Sequence, residues 1–380
     1  MIELNEEQKH GLQIVVQRIK DREPYTCIAG YAGTGKSTLI SILVEELGYR
    51  DYDVAYCTYT GKAALVLKNK GNKGALTIHK LIYESYMRRD GTFVNRLKKF
   101  IGYFKLIIVD EVSMVPQDLF TALLSFGIPI VGLGDPFQLP PVTGDSTLLH
   151  NPDVFLTQIM RQEEDSEIIQ LSMKIRNGER IDPFIGKSVQ IIAKNDICSG
   201  HFLWADQVIC ATNKTRREYN DVIRQLKGFN GDLQNGEKLI CLNNYWDDIT
   251  RFGDILVNGS IGEATNVVYV ENNFLRRPAY RVTFFAEGSM GPLEHLPIDY
   301  NYLHNGQPSF SPQEMFRIKS KILVPRVFDF GYCITAHKAQ GGEWDKVLVF
   351  EERFPFDEME HARWLYTAVT RASKKLVLVR

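Results

Sequence analysis

The segment at residues 30–37, GYAGTGKS, has the residue types and the spacing of a phosphate-binding loop. Its glycines allow backbone N–H groups to curl around an anionic phosphate, and a helix that starts within the segment adds a favourable dipole. We expect Lys36 to neutralise the β- and γ-phosphates and the Ser37 hydroxyl to ligate Mg²⁺. A chance glycine-rich turn is the alternative, and the strand pattern before the segment and the helical pattern after it argue against it. The predicted nucleotide contacts are Gly33, Thr34, Gly35, Lys36, Ser37 and Thr38.

A second chemical element is the segment LIIVDE at residues 106–111, an apolar strand that ends in two acids. In a parallel sheet these carboxylates would lie at the same edge as the phosphate-binding loop. Asp110 would then hold Mg²⁺ through water, and Glu111 would position and deprotonate the attacking water. An exposed acidic pair at a strand end is the ordinary alternative. Together with the loop, the pair predicts a nucleoside-triphosphate hydrolase that uses ATP and Mg²⁺.

Three classes of hydrolase can be compared on the sequence. A GTPase would carry an Asn-Lys-x-Asp guanine-binding motif, and the segment NKTR at residues 213–216 begins alike but lacks the Asp. A small-molecule kinase would rarely need a second α/β unit with an inserted barrel. A helicase needs a sensor that links the γ-phosphate to a nucleic-acid track, together with arginines that arrive from a second domain.

The elements that must position these residues alternate between strand and helix in the first part of the chain. Apolar runs predict strands at 25–29, 54–57, 105–109 and 129–133, and helical spacing predicts helices at 4–20 and 62–68. Such an order implies a doubly wound α/β domain at residues 1–155. Residues 83–104 form an insertion, in which Asp90-Gly91 between two short β-type runs predicts a hairpin.

A second α/β pattern follows and is interrupted by a β-rich stretch. Helices are predicted at 166–177 and 214–226 and strands at 207–211, 346–350 and 375–379. Residues 228–329 are rich in Gly, Asn and Pro with short β-type runs, which predicts a small β-barrel. The second domain is therefore expected at 156–227 plus 330–380, with the barrel inserted.

The composition excludes several classes without deciding the function. Nucleic-acid binders often carry a basic surplus, so the net charge of −1 is weak evidence against that class. We find no apolar run near the ~18 residues that span a bilayer and no signal peptide, so no membrane association and a cytosolic location are expected. The six scattered cysteines form no CxxC pair, which predicts buried, reduced thiols.

Five further segments follow one another in the same order as the sequence motifs of a known protein family. They are TIHKL at 77–81, GDPFQLPPV at 134–142, LTQIMRQ at 156–162, TAHKAQGGEWD at 335–345 and LYTAVTRA at 365–372. Together with the phosphate-binding loop they resemble superfamily 1 helicases, and most closely the RecD-like and phage Dda-like group (superfamily 1B), which translocates 5′ to 3′. The resemblance runs from Gln8 to Arg371. It implies two RecA-like domains with parallel sheets and an SH3-like barrel as the insertion.

Position by position, the resemblance implies roles at the nucleotide. Gln8 matches the glutamine that binds the adenine edge, and Gln138 the γ-phosphate sensor that couples hydrolysis to the strand. Arg161 and Arg371 match the two arginine fingers, whose cations stabilise charge on the transferring phosphoryl group. The nucleotide-proximal part of a later motif comprises Gln340, Gly341 and Glu343.

The resemblance also implies strand contacts on both domains. Small hydroxyls and backbone amides would hold phosphates without recognising bases, as a motor that passes every sequence requires. A structural histidine bonded locally is the alternative for His79 and His337. The implied contacts are Thr60, Gly61, Lys62, Thr77 and His79 on the first domain and Thr335, His337 and Lys338 on the second.

Two positions depart from the family pattern. Tyr59 stands where the family usually has Pro, and Ala339 stands where Ser is usual. Neither position belongs to the hydrolytic chemistry, but both affect the expected strand contacts. The short insertions predict a minimal member of the family.

The sequence therefore predicts an ATP-dependent DNA helicase that moves along single-stranded DNA, 5′ to 3′, and opens tailed duplex DNA. The hairpin matches the position of a strand-separating pin, and a plain hairpin that covers the first domain is the alternative. A monomer is expected because one chain supplies both walls of the nucleotide site, and replication or recombination proteins are possible partners. The alternatives are an RNA helicase of the same superfamily and an ATP-gated remodelling factor that clamps nucleic acid without processive unwinding.

Overall fold

The computed structural model describes residues 4–87, 93–140, 148–160, 165–250, 255–272, 277–311, 314, 324–353 and 357–380. Three parts are distinguished below: a first lobe (residues 4–160), a second lobe (165–227 and 331–380) and an insertion (228–330). Within the described ranges, no helix is both long and apolar enough to cross a membrane.

The first lobe is built on a six-stranded sheet in the order β3-β2-β6-β7-β1-β8. Every neighbouring pair in this sheet is parallel. Its elements are α1 (Glu6–Lys20), β1 (Tyr25–Gly30), α2 (Lys36–Glu46), β2 (Val54–Thr58), α3 (Gly61–Asn69), β3 (Leu76–Thr77), α4 (Ile78–Ile82), β4 (Tyr83–Met87), β5 (Phe93–Leu97), β6 (Leu106–Asp110), α5 (Gln117–Leu124), β7 (Ile130–Gly134) and β8 (Val154–Leu156).

Helix α1 shows how local sequence sets an element that reaches the site. The Asn5 side chain accepts from the Gln8 N–H and the Gln8 side chain accepts from the Asn5 N–H, a capping box that starts the helix at Glu6, two residues after the predicted start. Val15 and Ile19 on one face are buried in the core of the first lobe.

The strand order brings the chemical residues to one edge of the first sheet. Strand β1 leads into the phosphate-binding loop, and β6 ends at Asp110. Strand β7 pairs with both of them, so the segment after Gly134 emerges between the loop and the acids. The carboxyl ends of parallel strands share an edge, and ligands bind in the crevice outside that edge.

The second lobe carries a second six-stranded sheet, in the order β19-β11-β20-β21-β10-β9. Its pairs are parallel except for β9 with β10. Its elements are α6 (Glu167–Arg176), β9 (Phe184–Ile185), β10 (Val189–Ile192), α7 (Ser199–Trp204), β11 (Gln207–Cys210), α8 (Asn213–Leu226), β19 (Cys333–Thr335), α10 (Ala336–Ala339), β20 (Trp344–Phe350), α11 (Glu358–Val369) and β21 (Ala372–Val379).

The insertion is antiparallel. Its main sheet has the order β17-β16-β15-β12-β18, and β13 pairs separately with β14. Its elements are β12 (Glu237–Cys241), β13 (Tyr245–Ile249), β14 (Ile255–Leu256), β15 (Ile261–Asn272), β16 (Arg277–Ala286), β17 (Leu293–Asp299), α9 (Tyr300–Asn305) and β18 (Phe328–Phe330). The SH3-like character of the insertion stays a prediction.

The α/β class predicted from the sequence is confirmed, with one parallel sheet in the first lobe and a largely parallel one in the second. The hairpin strands β4 and β5 pair from Tyr83 with Leu97 to Met87 with Phe93, while the predicted Asp90-Gly91 turn lies outside the described residues. All six cysteines are free thiols, and all but Cys198 are buried.

Candidate nucleotide site and strand cleft

The phosphate-binding loop connects β1 to α2 through two glycines with positive φ. Gly33 has φ 77° and Gly35 has φ 76°, a backbone conformation that side chains other than Gly rarely adopt. The Lys36 ammonium donates to the carbonyl oxygens of Gly30 at 2.6 Å and Tyr31 at 2.9 Å. The loop therefore curls around the cation that the sequence assigns to the phosphates.

Gln8 packs directly against this loop. Its side-chain amide donates to the Thr34 carbonyl at 3.0 Å, and the residue is only 1% exposed. A Cβ on Gly35 would lie 2.6 Å from the Gln8 amide nitrogen and would clash with the Met160 sulfur. Gly35 is thus required both by its positive φ and by the close approach of its neighbours.

The two acids at the end of β6 lie beside the loop. The Glu111 N–H donates to the Asp110 carboxylate at 2.9 Å, and Glu111 itself has φ 53°. Burial raises the pKa of both carboxyls, and the positive charges of Lys36 and Arg371 oppose that rise. A carboxyl with a raised pKa beside a phosphate loop has the properties of a general base.

Arg371 reaches this acid pair from the second lobe. Its Nη1 lies 3.9 Å from Oε1 of Glu111, and the side chain is 7% exposed. Its guanidinium also donates to the carbonyls of Thr367 at 3.1 Å and Gly342 at 3.3 Å. The second predicted finger, Arg161, lies outside the described residues.

Gln138 lies in a segment of the first lobe that is bonded to the second lobe. It is buried, and its N–H donates to the Asp135 carbonyl at 3.3 Å. The next residue, Leu139, donates its N–H to the Thr367 hydroxyl at 2.9 Å and accepts from the Gln340 amide at 2.6 Å. The predicted sensor segment and the Gln340 motif are therefore joined directly.

Tyr366 connects the lobes at the phosphate-binding loop, a role that the sequence did not reveal. Its hydroxyl accepts from the Ala32 N–H at 2.8 Å and donates to the Asp135 carboxylate at 2.6 Å. The residue precedes Arg371 in the motif LYTAVTRA, but nothing in that motif indicates a partner in the other lobe.

Two predicted nucleotide contacts, Gly341 and Glu343, have partners on the first lobe. The Glu343 carboxylate lies 2.6 Å from the Lys70 ammonium. Gly341 has φ 70°, and a Cβ there would lie 2.9 Å from the Ala63 side chain. These residues therefore form a further contact between the lobes beside the nucleotide site.

A cleft of about 360 Å³ adjoins this contact and gathers most of the predicted strand residues. All three parts of the molecule contribute to its walls. The lining residues are Tyr59, Thr60, Lys62, Thr77, His79, Met114 and Pro116 from the first lobe, Asn244, Val257, Asn258 and Gly259 from the insertion, and His337, Lys338 and Gln340 from the second lobe.

Lys62 is a lysine of this cleft whose amine is buried against an aromatic ring. Its ammonium lies 3.5 Å above the Trp344 ring of the second lobe, and burial lowers the pKa of the amine well below its usual value. Within the described part of the chain the ammonium has no hydrogen-bond partner. Because an anion nearby would favour the charged form of this amine, the site is suited to receive one.

The other cleft residues are held by local contacts. The Thr77 hydroxyl caps α4 by accepting from the Lys80 N–H at 3.2 Å, and the His79 ring stacks on Tyr83. Burial lowers the pKa of His79 to about 4 and also lowers the pKa of His337, so both rings are neutral at pH 7. Neutral imidazoles can donate one hydrogen bond to a phosphate but bring no charge.

Two predicted strand contacts lie elsewhere, and a third has a partner in the insertion. Thr335 is buried at the end of β19. Gly61 packs against Val257, where a Cβ would lie 2.9 Å from the valine. Lys338 donates to the Asn258 side chain across the cleft.

The donor set for a metal is small. Among the described residues, no group of three or more His, Cys, Asp or Glu could hold a metal ion. A hydroxyl from Ser37 and a carboxylate from Asp110 are hard oxygen donors of the kind that Mg²⁺ uses together with water and substrate phosphates. The residues present fit Mg²⁺ brought by a nucleotide rather than a closed protein cage.

Two family models match this chain. The model described as an AAA domain matches residues 3–197, and the model described as a UvrD-like helicase C-terminal domain matches residues 330–379. The first match covers just over half of the chain. The second contains the Gln340 motif and Arg371.

Curated relatives are similar over most or much of the chain. The ATP-dependent RecD2 DNA helicase of Deinococcus radiodurans is 28% identical over 370 residues, 91% of this chain and 45% of the relative. The ATP-dependent DNA helicase dda of Enterobacteria phage T4 is 31% identical over 258 residues, 59% of this chain and 57% of the relative. The chain spans about half the length of these relatives.

Solved structures share the fold. Pif1 helicase from Candida albicans is 20% identical with a TM-score of 0.54, and the match covers 100% of this chain and 95% of that chain. Bacteroides Pif1 bound to ssDNA is also 20% identical with a TM-score of 0.54, covering 100% and 92%. At this identity the likeness concerns the fold alone.

Proposed function

The chain belongs to the AAA-domain family and to the RecD/Dda/Pif1 group of superfamily 1B helicases, and from this membership we propose that it is an ATP-driven motor on single-stranded DNA. The motor would couple ATP hydrolysis between its two lobes to the opening of tailed duplex DNA. The direction of movement proposed is 5′ to 3′, as the resemblance implies.

One observation carries the proposal: the nucleotide site and the cleft are formed by the same pair of lobes and share the Gln340 segment. Gln340 lines the cleft and donates to Leu139, next to the proposed sensor Gln138. A change in lobe spacing at the phosphates therefore also changes the cleft walls. This is the physical requirement for a motor, because two sites are coupled when both bias the same movement.

The proposed hydrolysis divides its tasks between the lobes. Glu111 takes a proton from the attacking water, whose oxygen bonds to the γ-phosphorus as the bond to the ADP oxygen breaks. Lys36 and Arg371 stabilise the negative charge on the phosphoryl oxygens from opposite sides. Gln8 and the loop residues hold the rest of the nucleotide. Mg²⁺, held through Ser37 and Asp110, would supply positive charge to the β- and γ-phosphates.

The proposed strand contacts are the cleft cations and hydroxyls, chiefly Lys62, Thr77 and Lys338. Their groups suit backbone phosphates, and contacts of this type carry no sequence preference. Single-stranded DNA rather than RNA is proposed because the named relatives are DNA helicases.

A strand-displacement assay tests the function. Duplexes with a 5′ tail, a 3′ tail or no tail are incubated with the protein and ATP, and ATPase rates are compared with DNA and RNA oligonucleotides of one sequence. We expect displacement only with the 5′ tail and stronger stimulation by DNA. Displacement from the 3′ tail would overturn the direction, RNA preference would identify an RNA helicase, and stimulation without displacement would identify a clamping factor.

The hairpin of β4 and β5 is proposed as the element that separates the strands. Its paired strands continue directly from α4, which carries the cleft residue His79. Shortening the connection at residues 88–92 should preserve ATPase stimulation by single-stranded DNA and abolish displacement. Loss of both activities would instead indicate that the hairpin is needed for folding.

A monomeric state, a cytosolic location and partners among replication or recombination proteins complete the proposal. The monomer is supported by one chain supplying Lys36, Glu111 and Arg371 to one site.

A further inference from the structure

The loop that follows the hairpin concentrates positive charge and aromatic side chains. Residues 96–105, RLKKFIGYFK, contain four cations and three aromatic residues without an acid, in a chain whose net charge is −1. We call residues 96–105 the aromatic–basic loop. It comprises the last two residues of β5 and the connection to β6, and it takes no part in the nucleotide site or in the cleft.

The aromatic–basic loop is fixed to the first lobe while two of its rings face solvent. Ile101 and Phe104 pack against the buried core of the first lobe. Phe100 is 59% exposed and Tyr103 is 90% exposed, and their ring centroids lie 4.9 Å apart in an edge-to-face pair. The two exposed rings thus form a platform whose backbone is anchored on both sides.

The start of the loop is tied to the elements that carry the hairpin. The Lys98 N–H donates to the Ile82 carbonyl at 2.8 Å, and its ammonium donates to the carbonyls of Lys80 and Leu81 at 2.9 Å. The platform therefore has a defined position relative to α4 and to the base of the hairpin.

The charges beside the platform have one sign. A groove of about 550 Å³ contains both rings, and its lining residues include Lys98 and Lys99 but no acid. Arg96 and Lys99 are exposed. Lys105 at the end of the loop is paired with Asp53 at 3.0 Å, so the cations available to a ligand are those nearer the hairpin.

We propose that the aromatic–basic loop is a second binding surface for single-stranded nucleic acid, outside the cleft. Exposed rings on which bases stack, together with cations that contact phosphates, are the features of surfaces that bind single strands without sequence preference. Because the loop continues from the returning strand of the hairpin, it receives the strand that is excluded from the cleft when a duplex opens. This inference rests on the proposed function.

An anionic polymer with flat, stacking groups fits the surface better than a protein partner. A protein that covered only the rings would leave Arg96 and Lys99 to be matched by acids, whereas a nucleic acid supplies both phosphate and ring in every residue. Single-stranded nucleic acid is therefore the occupant to test, and a protein partner or a second copy of this chain is an outcome that would overturn it.

The test compares binding to two DNA substrates without ATP. One substrate is a duplex with a 5′ tail, and the other carries a tail on both strands. The variant Phe100→Ala/Tyr103→Ala removes the platform, Arg96→Gln/Lys99→Gln removes the charges, and Phe184→Ala/Ile185→Ala, which removes two exposed apolar side chains from the edge strand β9, is the matched control. Dissociation constants are measured by fluorescence anisotropy.

We expect the unmodified protein and the control to bind the two-tailed fork more tightly than the one-tailed duplex. The platform variant should bind the two-tailed fork about tenfold more weakly, with unchanged binding to the one-tailed duplex. The charge variant should lose part of the same preference and show a smaller dependence of affinity on salt. If the unmodified protein and all variants bind the two-tailed fork and the one-tailed duplex equally well, the proposal is overturned.

Two further measurements separate this proposal from the proposed function and from other occupants. If the platform variant keeps ATPase stimulation by single-stranded DNA, the motor is intact and any lost fork preference belongs to the loop. If the unmodified protein shows neither ATPase stimulation nor strand displacement, the proposed function fails. Binding to the two-tailed fork still tests whether the aromatic–basic loop binds nucleic acid. Concentration-dependent self-association that Phe100→Ala/Tyr103→Ala abolishes would identify the loop as an interface between copies and overturn the proposal.

Discussion

At the scale of the residue, Arg371 is the group whose position depends most on the second lobe. Its guanidinium is fixed by carbonyls of its own lobe and still lies 3.9 Å from the Glu111 carboxylate of the first. A cation that is held before the nucleotide arrives requires little reorganisation in the transition state. Its contribution should therefore appear in turnover and not in nucleotide affinity.

We predict that Arg371→Ala lowers kcat for ATP hydrolysis by ~10³ or more. ATP binding, measured by titration with a fluorescent nucleotide, should change much less because Lys36 and the loop remain. Arg180→Ala, which removes an exposed arginine of the second lobe, is the control and should leave both quantities unchanged. A kcat within a few-fold of the unmodified protein would remove Arg371 from the mechanism.

The acid pair predicts the pH dependence of turnover. Burial raises the pKa of Glu111, whereas Arg371 lowers it. As a general base Glu111 must be ionised, so kcat should rise with pH through an acid limb above the ordinary glutamate value of about 4.3. Removing the guanidinium removes a lowering influence, so the limb of the residual Arg371→Ala activity should move to higher pH. A movement to lower pH would contradict this assignment of the base.

At the scale of the element, the sequence predicted which strands and helices carry the chemistry. The apolar run before Asp110 and the glycine-rich turn before Lys36 are local signals, and the parallel sheet then brings the two to one edge. Contacts between the lobes could not be predicted in the same way. The bonds of Tyr366 to Ala32 and Asp135 join residues more than 230 positions apart, and no local pattern encodes such a partner.

Because local patterns do not encode distant partners, some predicted strand contacts lie in surroundings that the sequence did not predict. Thr335 and Lys62 belong to segments that resemble strand-binding motifs, yet Thr335 is buried at a strand end, whereas Lys62 lines the cleft with its amine on a tryptophan of the other lobe. A motif identifies a segment, whereas the exposure of each side chain within it depends on packing against distant elements. Arg161 remains a prediction from the motif alone.

Helix α11 should hold Arg371 in position beside the nucleotide site. It ends at Val369 and is fastened to the first lobe by the Tyr366 and Thr367 hydroxyls. We predict that Tyr366→Phe lowers kcat about tenfold or more with little change in KM, because the Ala32 N–H and Asp135 lose a buried partner. Steady-state ATPase kinetics measure both constants.

Tyr332→Phe is the matched control for this prediction. The Tyr332 hydroxyl is also a buried acceptor, but its donor is the Lys238 N–H of the insertion and not a group of the first lobe. This variant should lose a comparable amount of stability, measured by thermal unfolding, without the fall in kcat. If both variants lower kcat equally, loss of stability and not presentation of Arg371 is the cause.

At the scale of the whole molecule, Lys70 and Lys62 of the first lobe each contact the second lobe between the nucleotide site and the cleft. The pair of Glu343 with Lys70 is exposed on both sides, and such pairs contribute ~0–1 kcal/mol. The Lys62 ammonium over Trp344 is shielded from water, where a cation–π contact is worth about 2 kcal/mol. Of these two contacts, the second should therefore contribute more to the coupling between the sites.

A short series of contacts through Trp344 connects the cleft to Arg371. Lys62 lines the cleft, its ammonium lies on the Trp344 ring, and the backbone N–H of Trp344 donates to the Arg371 carbonyl at 3.0 Å. A strand phosphate that draws the Lys62 ammonium away from the ring would change the support of the Arg371 backbone. We therefore predict that Trp344→Leu lowers the stimulation of ATPase by single-stranded DNA about tenfold and changes the unstimulated rate by no more than about twofold, in line with the loss of ~1.4 kcal/mol of coupling.

Lys70→Ala distinguishes this path from a general weakening of the contact between the lobes. It breaks the exposed pair with Glu343 and should change the stimulation by no more than a few-fold, because that pair contributes little in water. Thermal unfolding of Trp344→Leu shows whether the ring acts only through stability. Equal losses of stimulation in the two variants would contradict a path through the ring, since the coupling would then follow the presence of any contact between the lobes and not the burial of the cation.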